Sequence, residues 1–207
     1  MAERSTPSIS LRKTPKQGRS AQLVADILTA AVRVLEREGA ARFTCARVAE
    51  AAGVSIGSLY QYFPNKAALL FALQRDEWRE TRALLYAIID DRARPPLDRL
   101  RAVVHAFVRS ECEEAAMRQA LDDAAPYYRD APEALEARAD DDAAWQGFVA
   151  EARPDLDAAA RVRTAQLVKL VLGGAGKAIS EDCPDLAEAD AHAAALAEML
   201  CHHLALK

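Results

Sequence analysis

Long apolar runs are missing from this chain of 207 residues: no stretch approaches the roughly 20 residues that span a bilayer. The first residues, Met1-Ala2-Glu3-Arg4-Ser5, run into polar sequence without the apolar centre of a signal peptide. A cytoplasmic protein that enters no membrane is the expectation. Aromatics amount to 6%, and glycine and proline to eight and nine residues, while the apolar share leans on Ala, Leu and Val. That balance favours helices over strands, so an all-α fold is expected. Cysteine is sparse too. Cys45, Cys112, Cys183 and Cys201 lie far apart without the paired spacing of a metal site, so reduced thiols packed as small hydrophobes are expected. The rest, 51% hydrophobic and 28% charged, is an ordinary globular composition that excludes disorder or a fibre for most of the chain.

The formal net charge of −4 hides an asymmetry. Residues 1–64 carry nine Lys/Arg against five Asp/Glu, whereas the remainder carries eighteen against twenty-six. A basic head on an acidic body suggests that one end meets a polyanion.

Residues 1–16 mix Ser, Thr, Pro, Arg12, Lys13 and Lys16 without apolar periodicity and read as a flexible basic arm. A helix starts near Ser20. Val24, Ile27, Leu28, Ala31, Val32 and Leu35 make one apolar stripe along it, and Gly39 is placed to stop it. The stretch from Phe43 to Phe63 then holds two helix starts eleven residues apart, Thr44 and Ser55. Each can cap its helix, with Phe43/Val48 and Val54/Leu59 as hydrophobic staples. Gly53 falls between them, where a left-handed residue ends the first helix. Two short helices joined by a glycine turn form either an ordinary helical corner or a helix-turn-helix whose second helix enters a DNA major groove. The second helix displays hydrogen-bonding side chains, Ser55, Ser58, Tyr60, Gln61 and Tyr62, while Leu59 and Phe63 turn inward at i, i+4, which favours the DNA reading. Gly57 leaves room for close backbone approach.

The run from Thr44 to Phe63, continued by Pro64-Asn65-Lys66-Ala67-Ala68-Leu69-Leu70, closely resembles the TetR family of repressors. It has the Ala-Gly-Val-Ser turn, the Leu-Tyr-x-Tyr-Phe recognition helix and the Asn-Lys-x-x-Leu start of the fourth helix. The resemblance spans roughly residues 17–75. It implies an N-terminal three-helix DNA-binding domain at 17–64, after the arm at 1–16, and a C-terminal regulatory domain at 65–207 for effector binding and dimerisation, with about nine helices in all. It also implies that Ser55, Ile56, Gly57, Ser58 and Gln61 face base edges, and that Thr44, Tyr60, Tyr62 and Lys66 face phosphates. Chemistry agrees, since Gln can bond adenine at two points and hydroxyls serve bases or phosphates.

Further along, Asn65 can cap a helix to about Asp90, polar through its middle except for Trp78. Pro95-Pro96 open another, and a short segment follows at Cys112–Leu121. Helices at Pro132–Ala152, Asp155–Ser180 and Asp185–Leu206 complete the chain, and no internal repeat is present. In the family these helices surround an effector cavity, which makes Trp78, Tyr86, His105, Phe107, Tyr127, Tyr128, Trp145 and Phe148 pocket candidates. Aromatics that merely fill the core are the alternative for each. The last two helices pair subunits in the family, so Leu167, Leu170, Val171, Gly173, Gly174, Leu196, Leu200 and Leu204 are candidates for a homodimer interface.

Other motifs fall away. The run Leu172-Gly173-Gly174-Ala175-Gly176-Lys177-Ala178 lacks the glycine and hydroxyl of a phosphate loop, with Val171 and Ala178 in their places. Its small residues instead suit close approach of a neighbouring helix. His192, His202, His203 and Asp140-Asp141-Asp142 show no chelating spacing, and no catalytic triad or carboxylate pair appears. Neither a metal, a cofactor nor an enzyme activity is expected. The leading expectation is a homodimeric repressor, released from a palindromic operator in double-stranded DNA by a small-molecule effector. A DNA-binding dimer without an effector, and a helical enzyme or metal-binding protein, are the alternatives.

Overall fold

The computed structural model describes residues 8–13, 18–138, 143–182 and 185–205. Among them the chain forms ten α-helices, one 3₁₀ turn and no strand. In order these are α1 Gly18–Arg42, α2 Cys45–Ala51, α3 Ile56–Tyr60, α4 Lys66–Ile89, α5 Pro96–Glu113, α6 Ala115–Ala124, the 3₁₀ turn Ala125–Tyr127, α7 Pro132–Arg138, α8 Ala143–Ala152, α9 Ala158–Asp182 and α10 Leu186–Ala205. The single helix expected at Pro132–Ala152 is thus described as α7 and α8. Cys183 and the Asp140-Asp141-Asp142 run lie outside the described residues.

Local chemistry sets the boundaries. The Thr44 hydroxyl accepts from the Arg47 N–H at 3.3 Å, Ser55 from Ser58 at 3.0 Å, and the Asn65 side-chain oxygen from Ala68 at 2.8 Å. Asp157 and Asp185 cap α9 and α10 in the same way, accepting from Ala160 and Glu188. Gly39 and Gly53 alone among the described residues have positive φ, 70° and 67°, so each breaks the helical run where a side chain would strain the backbone.

The described residues divide into two compact units. The first combines residues 1–78 with 116–139, and the second combines 79–115 with 140–207. Spatial grouping therefore cuts across the expected linear division at 64/65, because α6 and α7 bury their apolar faces in the core of the first unit. That core joins Ile27, Val34 and Leu35 of α1 with Val48, Leu59, Phe63, Leu69 and Leu70, and it also takes in Leu121, Ala124, Tyr128 and Ala134. Tyr128 packs its ring 5.8 Å from that of Phe71, and its hydroxyl donates to the side-chain oxygen of Gln74 at 3.0 Å. Arg118 pairs with Glu77 at 2.8 Å within the same polar cluster.

Residues 8–13, read from sequence as part of a flexible arm, are anchored here. Ile9 is buried, the Arg12 N–H donates to the Tyr62 carbonyl at 2.9 Å, and the Ser10 hydroxyl donates to Glu133 at 2.8 Å. Ile9, Leu11 and these bonds hold a segment in which periodicity gives no signal.

In the second unit α5 packs against α9 and α10. Leu100, Val103, Val104 and Val108 of α5 meet Val168 and Leu172 of α9 and Leu196, Leu200 and Leu204 of α10. Ala189, Ala193 and Ala197 are buried at four-residue steps along α10, keeping its packed face small enough for close approach. Arg101 and Arg109 reach across to Glu198 and Asp190 at 2.8 and 3.0 Å. α8 closes the core with Trp145, Phe148 and Val149. Among the described residues no helix is long and apolar enough to cross a membrane.

Candidate nucleic-acid interface

α2, the turn at Gly53 and α3 present one displayed edge. Ser55, Ile56, Gly57, Tyr60 and Gln61 are exposed, Ser58 is half-buried, and Leu59 is fully buried beneath them. Ser55 serves both as cap and as partner of Ser58, the two hydroxyls lying 2.8 Å apart. A Cβ on Gly57 would meet no atom except the Ser55 hydroxyl at 3.8 Å, so this surface is open to an incoming backbone or base edge. Ile56 leaves 41% of itself exposed on that surface, which suits contact with a thymine methyl.

Thr44 is exposed at the start of α2. Nearby, Glu38 pairs with Arg37 and Arg47. The hydrogen bond from Arg37, reinforced by the charges of Arg47 and Arg42, holds the Glu38 carboxyl below the usual carboxylate range. Part of the basic charge at this edge is thereby neutralised within the chain. The Cys45 thiol is pushed up by burial, with a hydrogen bond from the Tyr60 hydroxyl opposing the shift.

Of the residues expected at phosphates, Tyr62 sits differently, and Lys66 is held by contacts within the chain. Tyr62 is buried in the core, so its ring supports α3. Lys66 is half-buried, and its Nζ donates to the Ala40 carbonyl at 2.6 Å while lying 4.4 Å from the centre of the Tyr127 ring.

The eight aromatic and histidine candidates for a pocket divide between the units. Trp78, Tyr127 and Tyr128 belong to the first, and Tyr86, His105, Phe107, Trp145 and Phe148 to the second. Trp145 and Phe148 are buried and pack edge to face with centroids 6.3 Å apart, as core residues do. A cavity of about 260 Å³ does exist in the second unit, lined by Ile89, Asp90, Arg92, Arg99, Ala143, Ala144, Gly147, Phe148 and Glu151. Of the candidates only Phe148 borders it.

Arg99, which the sequence reading does not single out, is the most buried charge among the described residues of the second unit, 1% exposed. Its guanidinium donates to the Ile89 carbonyl at the end of α4, pairs with Glu151 of α8 and lies over the Phe148 ring. The hydrogen bond from Arg99 is the main reason the Glu151 carboxyl is held below its ordinary value. A signal was present: Arg99 lies four residues before Val103, on the buried stripe of α5.

The interface candidates also separate. Leu196, Leu200 and Leu204 are buried within the chain itself, where α5 covers them. Leu167 and Leu170 are exposed, Leu170 by 72%, and a Cβ on Gly173 or Gly174 would meet nothing within 4 Å. Val171 is half-buried against the core. The close approach read into this glycine run occurs at Gly176, where a Cβ would stand 2.5 Å from Phe107.

Comparisons with known proteins agree with this architecture. The family model described as "Bacterial regulatory proteins, tetR family" matches residues 27–73, and "Tetracyclin repressor-like, C-terminal domain" matches residues 95–206. The HTH-type transcriptional regulator CymR of Pseudomonas putida is 33% identical over 122 residues, which are 59% of this chain and 51% of that protein. The chain thus spans about half the length of the curated relatives it matches. Among solved structures, a TetR-family transcriptional regulator of Mesorhizobium loti aligns with a TM-score of 0.71 at 16% identity, covering 90% of this chain and 98% of that one. FadR of Bacillus subtilis, solved with stearoyl-CoA, aligns with a TM-score of 0.61 at 17% identity, covering 86% and 97%. At such identities these structures speak for the fold.

Proposed function

We propose that this chain, which belongs to the TetR family of bacterial regulatory proteins, is a sequence-specific transcriptional regulator that represses from a palindromic operator and is released by a small-molecule effector. One observation carries the reading: capped α2 and α3 meet at a left-handed Gly53, and α3 buries Leu59 while displaying Ser55, Ile56, Gly57, Ser58, Tyr60 and Gln61. Such a surface offers hydroxyls, an amide and a methyl group to base edges, with Thr44, Tyr60 and Lys66 toward phosphates. Tyr62 acts from behind, holding α3.

A homodimer is supported by the outer faces of α9 and α10, where Leu167, Leu170, Gly174 and Ala178, and then Ala191, Ala195 and Met199, stand exposed. Packing the same pair from a second subunit would cover them around a two-fold axis. An operator with half-sites one turn apart requires two recognition helices about 34–36 Å apart. Regulation needs only an effector that prefers the non-binding conformer by a few kcal/mol. The 260 Å³ cavity beside Phe148 is a place for it, and the stearoyl-CoA complex of FadR offers a precedent for ligand binding on this fold. We place the protein in the cytoplasm and assign it no catalysis. The dimer without an effector keeps one argument of its own. Trp145, Phe148 and Tyr128 are packed as core, and the cavity is smaller than the roughly 300–1,000 Å³ of common ligand sites.

Sequencing of genomic fragments retained by the purified protein tests the reading. A recurrent palindrome is the expected result, and fragments without a shared sequence would refute it.

A further inference from the structure

We propose that Tyr127 is a positioning residue for DNA binding, its ring holding the Lys66 ammonium where it can meet a phosphate. The proposal rests on the reading above that Lys66 faces DNA.

A lysine ammonium sits on a flexible four-carbon stem and normally loses much rotamer freedom when it binds. Lys66 has already lost it. One N–H donates to the Ala40 carbonyl at 2.6 Å, the Tyr127 ring centre is 4.4 Å from Nζ, and the Phe43 ring centre is 6.0 Å from it. Phe43 immediately precedes Thr44, the cap of α2, so the ammonium is tied to the corner from which α2 starts. Three N–H donors are available to an ammonium and one goes to Ala40, while a ring face attracts the charge without using an acceptor. Among the described residues no carboxylate pairs with Lys66, so its charge remains available to a polyanion.

Tyr127 comes from a part of the chain far from the helix-turn-helix in sequence, within the stretch matched by the C-terminal family model. It nevertheless belongs to the first compact unit. The turn that carries it is fixed by Pro126 and by its neighbour Tyr128, which is buried and hydrogen-bonded to Gln74. Tyr127 itself is 45% exposed, with its ring over Lys66. An ammonium fixed in advance binds a phosphate at lower entropic cost, which is the contribution assigned to this ring.

The test uses the full-length protein and a mixed-sequence DNA duplex, since phosphate contacts carry non-specific binding. Isotherms at several salt concentrations are measured for wild type, Lys66→Gln, Tyr127→Leu, Tyr127→Phe and the Lys66→Gln/Tyr127→Leu double variant. Thermal unfolding is measured alongside, and because the ring is 45% exposed Tyr127→Leu should melt close to wild type. Lys66→Gln should weaken binding and flatten the dependence of log affinity on log salt by about one unit per subunit. Tyr127→Leu should weaken binding about three- to tenfold, within the range of a cation–π contact, whereas Tyr127→Phe recovers wild-type affinity. The double variant should bind no worse than Lys66→Gln alone. Full affinity in Tyr127→Leu beside an impaired Lys66→Gln overturns the proposal and leaves the DNA role of Lys66 standing. A further loss in the double variant also overturns it, because Tyr127 then acts independently of Lys66. Unchanged binding in Lys66→Gln removes both the lysine and the tyrosine from the site.

Discussion

The two units are built from the same kind of helix and differ in what they leave outside. In the first, α3 buries Leu59 and turns hydroxyls, an amide and one isoleucine outward. In the second, α9 buries Val168 and Leu172 and turns Leu167, Leu170 and a pair of glycines outward. A polar display over a dry core suits a polar partner such as base edges and phosphates. An apolar display is costly in water and calls for a second protein surface. Exposure, more than helix content, separates the two units, and the proposed roles of reading DNA and of assembling follow from it.

The largest effect expected lies inside the second unit. Gly176→Leu places its first side-chain carbon against Phe107 and should cost about 3 kcal/mol, the upper end of the usual overpacking range. Thermal melting checks it, and an unchanged transition would remove Gly176 from the packed face. Next comes Arg99→Met, which strips a bond from the Ile89 carbonyl and leaves Glu151 without its partner. A loss of about 2–4 kcal/mol at neutral pH is expected in denaturant unfolding. The sign with pH follows from the lowered Glu151 pKa: the pair's contribution is full above the ordinary carboxylate value and lost as pH falls through the folded one. The deficit of Arg99→Met should therefore shrink in acid, and a deficit that grows there would contradict the pairing.

In the first unit Asn65→Ala removes the cap of α4 and the bond from its side-chain amide to the Ser8 carbonyl. About 1 kcal/mol should be lost, together with faster hydrogen exchange at Arg12. Smallest in folding energy is Gly174→Leu, since its Cβ meets nothing within the subunit. Its melting as a monomer should match wild type while light scattering shows altered assembly. An unaltered dimer would place the subunit contact elsewhere and weaken the contrast between the two outer faces.

Much of this was legible in the sequence because the signals were local. Thr44, Ser55 and Asn65 cap where their side chains and spacing indicated, and Gly39 and Gly53 take the left-handed backbone expected of them. These features depend on a few neighbouring residues. Tertiary partners decided the rest. Leu196, Leu200 and Leu204 read as an interface because their apolar face had no visible cover, and α5 supplies it from about a hundred residues away. Tyr62 reads as displayed by its helix position, yet the chain turns after Tyr60 and carries it inward. The Lys66–Tyr127 contact joins positions 61 residues apart, a distance over which periodicity says nothing.

The central claim is that the outer face of α3 reads base edges, and parallel selection of DNA by wild type, Ser58→Ala and Gln61→Ala tests it most directly. Both side chains lie off the core, so all three proteins should fold alike. The account predicts one palindrome with the same half-site spacing for all three, with relaxed preference at a single position per half-site in each variant, worth about 1–3 kcal/mol of discrimination. Identical preferences from all three proteins would contradict it.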